Sequence, residues 1–200
     1  MTTAKPECTC DSGHVFDPDC KKHGLKAEEE LKAVAFAREA HGDQKYGGEP
    51  YTSHLSAVRL VLTDFNTHGD LGVAAWLHDV LEDTPVTNTE LQDAFGPGVF
   101  KLVFAVSGFD TLPGPPGSNR KRRNADVYEK LRKWPEAIPL KLADRIANVE
   151  ACGKTKNAKP TMLAMYQSEQ QGFEAALYNA AGNYGRKMWS RLHMALNVTC

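Results

Sequence analysis

Apolar residues recur along most of the chain at the three- and four-residue spacing of amphipathic helices. The clearest stripes are Ala27, Leu31, Val34 and Ala35; Leu55, Val58, Leu62 and Phe65; and Ile138, Leu142, Ile146 and Val149. No alternation of apolar and polar residues typical of strands persists. The pattern therefore predicts an all-α fold, with helices at about 27–41, 53–65, 70–84, 87–96, 97–107, 125–133, 138–149, 161–179 and 184–196.

Two segments interrupt the helical pattern. GDQKYGGEPY, residues 42–51, is rich in glycine and proline and predicts a loop. GFDTLPGPPGSNRKRRN, residues 108–124, begins with glycines and prolines and ends in four consecutive basic residues, so we expect the least regular part of the interior there. Thr87 followed by Glu90 has the spacing of a capping box, which predicts a helix start.

Length and composition indicate one globular domain, because 200 residues with 42% hydrophobic and 24% charged residues can bury a sizeable core. A net charge of −1 argues against nucleic acid or an anionic membrane as a partner held by overall charge. No apolar run approaches the roughly 18 residues that cross a bilayer, and the first residues lack the apolar stretch of a signal peptide. We therefore expect a cytoplasmic protein.

Residues 1–24 are predicted to form a flexible tail, and residues 25–200 a single domain. Three of the five cysteines fall in this tail together with two histidines: Cys8, Cys10, Cys20, His14 and His23. The cysteine spacing matches none of the usual zinc sites, which favours incidental, reduced thiols over the alternative of a zinc-binding tail.

One mostly apolar segment, AAWLHDVLEDT at residues 74–84, carries an imidazole and three carboxylates within two helical turns. Such groups are costly to bury together unless a partner offsets their charge. On a continuous helix, His78 and Glu82 are four residues apart, as are Asp79 and Asp83, so that the side chains can line one wall of a cleft. A metal ion and the water that it activates would provide the missing compensation.

Two further residues can complete a metal site. His54 stands at the start of the second predicted helix, and Asp144 is embedded in an apolar helical stripe. With His78 and Asp79 they give a mixed nitrogen and oxygen shell, which suits Mn²⁺, Fe²⁺ or Zn²⁺ better than Ca²⁺. A single histidine is more often a surface or capping residue than a ligand, so the prediction depends on the joint pattern.

The order H…HDxxED…D resembles that of the HD-domain metal-dependent phosphohydrolases. Within them it is similar to the hydrolase domain of the RelA/SpoT proteins and of their stand-alone relatives, the small alarmone hydrolases. The resemblance runs from about Ala27 to Tyr166 and rests on AREAHGDQ, GEPYTSHLSAV, AAWLHDVLEDT, LQDAFGPGV and KLADRIANV. It implies a compact HD-domain helical bundle within residues 25–200 that holds a metal, usually Mn²⁺, in a central cleft.

The resemblance also assigns roles to individual residues. Metal ligands are matched by His54, His78, Asp79 and Asp144, the acidic pair around the attacking water by Glu82 and Asp83, and the nucleotide pocket by Lys45, Asn148 and Tyr166. The implied reaction removes the 3′-pyrophosphate from guanosine tetra- or pentaphosphate, (p)ppGpp, to give GDP or GTP. The expected partner is thus a small-molecule nucleotide, not nucleic acid or a membrane, and oligomeric state is not predicted.

Cations should offset the charge of the substrate phosphates. The candidates are Lys45, Lys141, Arg145 and the basic run, which consists of Arg120, Lys121, Arg122 and Arg123. Of this run, Arg120 and Lys121 are expected to contact substrate. A solvated helix start is the alternative interpretation of this run.

Two positions depart from the family pattern. Tyr46 follows Lys45 where relatives often have a second basic residue, and its ring can stack on a nucleobase but carries no charge. Met162 stands where relatives often have a basic residue.

The sequence is also compatible with two other functions. One is an HD-domain phosphatase that acts on NADPH or another nucleotide, and the other is a nucleotide-sensing module without turnover. The presence of both Glu82 and Asp83 favours catalysis over sensing. Since no synthetase segment follows, we expect the chain to degrade a signal nucleotide without making one.

Overall fold

The computed structural model describes residues 21–109, 118–153 and 159–197, with side chains for all of these except 21–26, 118 and 182–184. Its helices are α1 (Lys21–His41), α2 (Thr52–Asp64), α3 (Asp70–Leu77), α4 (Val80–Asp83), α5 (Asn88–Val106), α6 (Ser118–Lys133), α7 (Ile138–Cys152), α8 (Pro160–Leu177) and α9 (Gly182–Leu196). A hairpin of β1 (Lys45–Tyr46) and β2 (Glu49–Pro50) and a 3₁₀ turn at Pro135–Ala137 complete these segments. The predicted all-α class is confirmed.

The predicted tail lies mostly outside the described residues. Helix α1 begins at Lys21, earlier than the predicted start near Ala27, so the last residues assigned to the tail are helical. Cys8, Cys10 and Cys20 all precede the described part of the chain. The tail prediction therefore stays a prediction.

Helix α7 is the centre of the bundle and packs against α2, α8 and α9, with further contacts to α3 and α5. Pro139 stands in its first turn, where the missing N–H costs nothing. The predicted stripe is buried, with Ile138, Leu142 and Ile146 fully inaccessible. Each such side chain contributes about 1.5–3 kcal/mol on burial. This packing fixes α7 firmly, and with it the polar residues that α7 carries.

Helix α3 is enclosed by α1, α2 and α5, and Val73, Ala74 and Leu77 are fully buried. The predicted single helix over about 70–84 is wrong in one respect, because the helix breaks after Leu77 and resumes as α4. Asp79 at the break has φ −100° and ψ −6°, a conformation outside the regular helix. The break lies at His78 and Asp79, the two adjacent residues that the sequence predicts as metal ligands.

The Thr87 capping box is present, with the Glu90 N–H donating to the Thr87 hydroxyl and Glu90 accepting from the Thr87 N–H. The two helices predicted on either side of Pro97 are present within α5 and meet at a kink, because Gly96 adopts φ 76° and ψ 169°, a non-helical conformation that only glycine reaches without strain. Helix α6 starts at Ser118 rather than near Ala125, so the basic run is helical.

The predicted loop at residues 42–51 contains a short antiparallel hairpin, in which Lys45 pairs with Pro50 and Tyr46 with Glu49. Among the described residues, no helix has both the length and the apolar character that a bilayer span requires.

Candidate metal centre

Three elements bring the four predicted ligands together. His54 comes from the first turn of α2, His78 and Asp79 from the break between α3 and α4, and Asp144 from the middle of α7. The Nε2 atom of His54 lies 3.5 Å from Asp79 Oδ2 and 3.4 Å from Asp144 Oδ1. The Nε2 atom of His78 lies 3.1 Å from Asp79 Oδ2 and 3.7 Å from Asp144 Oδ1.

These distances fit a shared divalent ion. Atoms that each lie about 2.1 Å from one ion are separated from one another by about 3.0–3.4 Å. Donor atoms of His54, His78 and Asp144 all lie within 4.8 Å of one another, and all three residues are buried. The set of two imidazoles and two carboxylates matches the nitrogen and oxygen shell of a transition metal.

His78 is prepared as a ligand by its other ring nitrogen. Its Nδ1 lies 2.9 Å from the carbonyl oxygen of Ala75, which makes Nδ1 the donor and leaves the lone pair on Nε2. The Nε2 atom is buried and faces Asp79 Oδ2 at 3.1 Å, but in this tautomer it carries no proton and forms no hydrogen bond with a described residue. A buried nitrogen in this state needs a partner, and a metal ion supplies one.

The ionisation of the carboxylates also suits a cation. Burial raises the pKa of Asp79, but His78 and His54 outweigh it and hold that pKa below its ordinary value. Burial likewise acts on Asp144, whose pKa lies well below its ordinary value because Lys141 and both histidines favour the charged form. Both carboxylates are therefore ionised at neutral pH and can bind a metal.

A second ring of contacts orients the carboxylates. The Tyr51 hydroxyl lies 2.7 Å from Asp79 Oδ2 and 2.8 Å from Asp83 Oδ2, so it can donate to either oxygen. Asn148 Nδ2 donates to Asp144 Oδ1 at 2.5 Å, and Lys141 Nζ lies 3.0 Å from Asp144 Oδ2. Such outer contacts fix the geometry of ligating groups.

Tyr46 closes one side of the site. Its ring stacks on His54 with centroids 4.6 Å apart at 21°, and its hydroxyl donates to Asn148 Oδ1 at 2.7 Å. The hairpin therefore holds an aromatic ring, not a charge, against a predicted ligand.

Glu82, on α4, is half-buried and lines a cavity next to the candidate metal ligands. Its Oε1 accepts from the Gly108 N–H at 2.6 Å, and its Oε2 lies 3.5 Å from Arg123 Nη1. Burial raises the pKa of Glu82, opposed first by Lys141, and the net pKa is above the ordinary value. Glu82 is thus a more basic carboxylate than Asp79 or Asp144.

The cavity has a volume of about 190 Å³ and a cationic wall. Arg120 Nε lies 2.6 Å from Glu169 Oε1, and Arg145 Nη1 lies 3.1 Å from Glu169 Oε2, so two guanidinium groups share one carboxylate. Arg145 also stacks on Tyr166, 5.0 Å from the ring centroid. Lys141 and Arg123 lie on the same lining. A multiply charged anion is the ligand that such a wall favours.

The predicted site residues do not all reach this cavity. Of the four metal-ligand candidates, His54, Asp79 and Asp144 line it. The other predicted residues that line it are Tyr46, Glu82, Arg120, Arg123, Lys141, Arg145, Asn148 and Tyr166. Lys45 and Lys121 are exposed and do not line the cavity among the described residues. Asp83 is exposed and linked to the centre through Tyr51. Sequence reasoning missed two residues of the site. Tyr51 lies within the motif GEPYTSHLSAV, and Gly108 is the first residue of the segment GFDTLPGPPGSNRKRRN.

Comparison with known proteins finds relatives for most of the chain. The family model for the HD domain matches residues 33–170. Guanosine-3′,5′-bis(diphosphate) 3′-pyrophosphohydrolase of Aquifex aeolicus is 37% identical over 143 residues, 69% of this chain and 20% of that protein. Bifunctional (p)ppGpp synthase/hydrolase SpoT of Escherichia coli is 34% identical over 138 residues, 66% of this chain and 19% of that protein. The chain thus spans about a fifth of the length of these relatives.

A solved structure shares the fold. It is described as a metazoan ortholog of SpoT that hydrolyses ppGpp and has a role in starvation responses, and it superposes with a TM-score of 0.65 at 21% identity. The superposition covers 90% of this chain and 96% of that one. With the family model matching more than half of its length, the chain belongs to the HD domain family.

Proposed function

We propose that this chain is a metal-dependent hydrolase that removes the 3′-pyrophosphate of guanosine tetra- or pentaphosphate and releases GDP or GTP. The observation that carries the proposal is the convergence of His54, His78, Asp79 and Asp144 beside the more basic Glu82, in a cavity with a cationic wall. The names of the relatives from Aquifex aeolicus and Escherichia coli support the choice of substrate.

The four ligands would hold a divalent cation, for which we propose Mn²⁺. When bound, the cation supplies the Lewis acidity that makes water a nucleophile near neutral pH. Glu82 accepts the proton that this water loses, and its raised pKa favours that role. The Gly108 N–H holds the carboxylate in place while leaving its second oxygen toward Arg123 and the cavity.

The reaction forms one bond and breaks one. The water oxygen bonds to the phosphorus that carries the 3′ ester, and the bond from that phosphorus to the ribose 3′ oxygen breaks. The 3′ oxygen takes up the proton that Glu82 received from the water, and pyrophosphate is released. Lys141, Arg120 and Arg145 face the cavity and offset the charge on the phosphate oxygens. Asp83 acts through its contact with Tyr51.

A panel of nucleotides tests the proposal. Mn²⁺-loaded protein is incubated with ppGpp, pppGpp, NADPH and GMP, and pyrophosphate is separated from orthophosphate among the products. We expect pyrophosphate from ppGpp and pppGpp. If the protein releases orthophosphate from NADPH but no pyrophosphate from ppGpp or pppGpp, the substrate assignment is contradicted. Tight binding of ppGpp without any product would indicate a sensing module.

A variant separates binding from turnover. Glu82→Gln should lower kcat on ppGpp about 10²–10⁴-fold while the dissociation constant for ppGpp changes little, because the amide cannot accept the proton. Glu129→Gln, at an exposed position on α6, is the matched control and should keep wild-type turnover. Full activity of Glu82→Gln would exclude Glu82 as the base.

A further inference from the structure

Lys130 is a buried cation that the proposed reaction does not use. It lies on α6 and is only 9% exposed. Its Nζ donates to the carbonyl oxygen of Ser107, lies 2.8 Å from Asp126 Oδ2, and stands 4.8 and 4.7 Å from the ring centroids of Phe104 and Phe109. An ammonium group at this depth is costly unless it is paired, and here a carbonyl oxygen, a carboxylate and two aromatic rings surround it.

The partners of Lys130 flank a single residue. Ser107 is fully buried and its carbonyl oxygen is held by Lys130, while the Phe109 N–H donates to Asp126 Oδ2 at 3.3 Å. The ion pair of Lys130 and Asp126 thus anchors the backbone immediately before and after Gly108. The Phe109 ring also packs on Lys130.

Gly108 fits closely against the same face of α6. A Cβ atom at this position would lie 2.9 Å from Arg123 Cβ and 3.3 Å from the Arg123 carbonyl oxygen. The missing side chain lets the backbone approach the helix, and the Gly108 N–H then points at Glu82 Oε1 from 2.6 Å. Lys130 contacts the carbonyl oxygen of the Ser107–Gly108 peptide group, which also carries this N–H, and Asp126 accepts from the N–H of the next peptide group.

We propose that Lys130 is a positioning residue for Glu82, acting through the backbone of Gly108. It sets the path of residues 107–109, so that the Gly108 amide holds the Glu82 carboxylate in the orientation from which it accepts a proton. This inference rests on the proposed function for its effect on catalysis. The contact that it describes can be observed without turnover.

The kinetic test uses Lys130→Met, Lys130→Arg and a control. Lys130→Met keeps the apolar stem but loses the ammonium, and we expect kcat on ppGpp to fall about tenfold, with KM and Mn²⁺ affinity within about twofold of wild type. Lys130→Arg keeps the charge and should recover most of kcat. The control is Lys101→Met on α5, which removes an exposed ion pair 2.7 Å long with Glu136 and should leave kcat unchanged.

The structural test follows the Gly108 amide by NMR in metal-free protein labelled with ¹⁵N-glycine. The resonance is assigned by its absence from Gly108→Ala. A short bond to a carboxylate shifts an amide proton downfield, so Glu82→Gln and Lys130→Met should both move this resonance upfield, while Lys130→Arg and Lys101→Met should not.

The two tests fail in different ways. If wild-type protein releases no pyrophosphate, the proposed function is wrong, and the resonance alone decides whether Lys130 sets the Gly108 amide. If Lys130→Met leaves the Gly108 resonance and kcat at their wild-type values, the positioning role is overturned. The positioning role would also be overturned if Lys101→Met lost as much kcat as Lys130→Met and the two variants lost the same thermal stability.

Discussion

At the scale of single residues, the Tyr51 hydroxyl joins a metal-ligand candidate to a neighbouring acid. It lies within 2.8 Å of both Asp79 Oδ2 and Asp83 Oδ2, and its ring stacks on His41 with centroids 4.2 Å apart. Burial and the two carboxylates raise the pKa of Tyr51 far above its ordinary value, so the phenol stays protonated and remains a donor. Near neutral pH Tyr51 is therefore a hydrogen-bond donor to Asp79 or Asp83.

Removing that hydroxyl should weaken metal binding. We expect Tyr51→Phe to bind Mn²⁺ roughly tenfold more weakly than wild type, because outer hydrogen bonds align the ligating oxygens. Competition with a chelating dye measures the affinity directly. Tyr178→Phe, at an exposed tyrosine, should bind as wild type does. An unchanged affinity in Tyr51→Phe would mean that Asp79 is oriented by its other contacts.

The basic run shows what residue types alone can and cannot predict. Arg120 and Arg123 are three residues apart on α6, and both face the cavity. Lys121 is rotated by about 100° from Arg120 and points to solvent. The composition of the run predicted cations near a phosphate site. Which of these cations face the cavity depends on where helix α6 begins, and the glycines and prolines before it made that start hard to predict.

At the scale of elements, the apolar stripes predicted the helices on either side of the site, but they did not predict the break after Leu77. Apolar spacing is the same for one helix or for two that meet at His78 and Asp79. In an unbroken helix these neighbours point about 100° apart. The break instead brings His78 Nε2 to 3.1 Å from Asp79 Oδ2. The ligand types were predictable, and their convergence depends on tertiary packing.

Glu169 joins three elements, because it accepts from Arg120 on α6 and Arg145 on α7 while standing on α8. Partial burial raises the pKa of Glu169, but the two guanidinium groups outweigh it and hold that pKa below its ordinary value. A glutamate with a lowered folded-state pKa adds stability above the pKa of the unfolded chain, and this stability is lost as pH falls through the folded-state value.

Replacing Glu169 should therefore change stability in a pH-dependent way. At pH 7 we expect Glu169→Gln to lower the free energy of unfolding by about 1–3 kcal/mol, since buried Arg145 loses a charged acceptor. Between about pH 5 and pH 3 the variant should lose less stability than wild type. Urea unfolding across this range measures both effects.

Glu174→Gln is the matched control on the same helix. Its partner His193 lies 3.1 Å away at a half-exposed position, so the cost should be within about 1 kcal/mol. Parallel pH profiles for wild type and Glu169→Gln would show that the two arginines do not depend on this carboxylate.

At the scale of the whole molecule, the candidate metal centre is formed by residues from several separate helices. Its ligands come from α2, from the junction of α3 and α4, and from α7, and α7 in turn packs on α8 and α9. These elements are far apart in sequence, since His54 and Asp144 belong to opposite halves of the chain. A cation held there would tie the two halves of the bundle together, and its binding free energy would add to the stability of the folded state only.

Metal should consequently raise the melting temperature. At a free Mn²⁺ concentration of about 100 times the dissociation constant, the gain is about 2.7 kcal/mol, which corresponds to a rise of roughly 5–10 °C for a domain of this size. Thermal unfolding followed by circular dichroism, with and without Mn²⁺ and after addition of EDTA, measures the shift. His78→Gln should abolish the rise, because its ligand set is incomplete, whereas Lys101→Met should keep it. An equal rise in His78→Gln and wild type would place the stabilising ion elsewhere and remove the basis of the proposed hydrolase site.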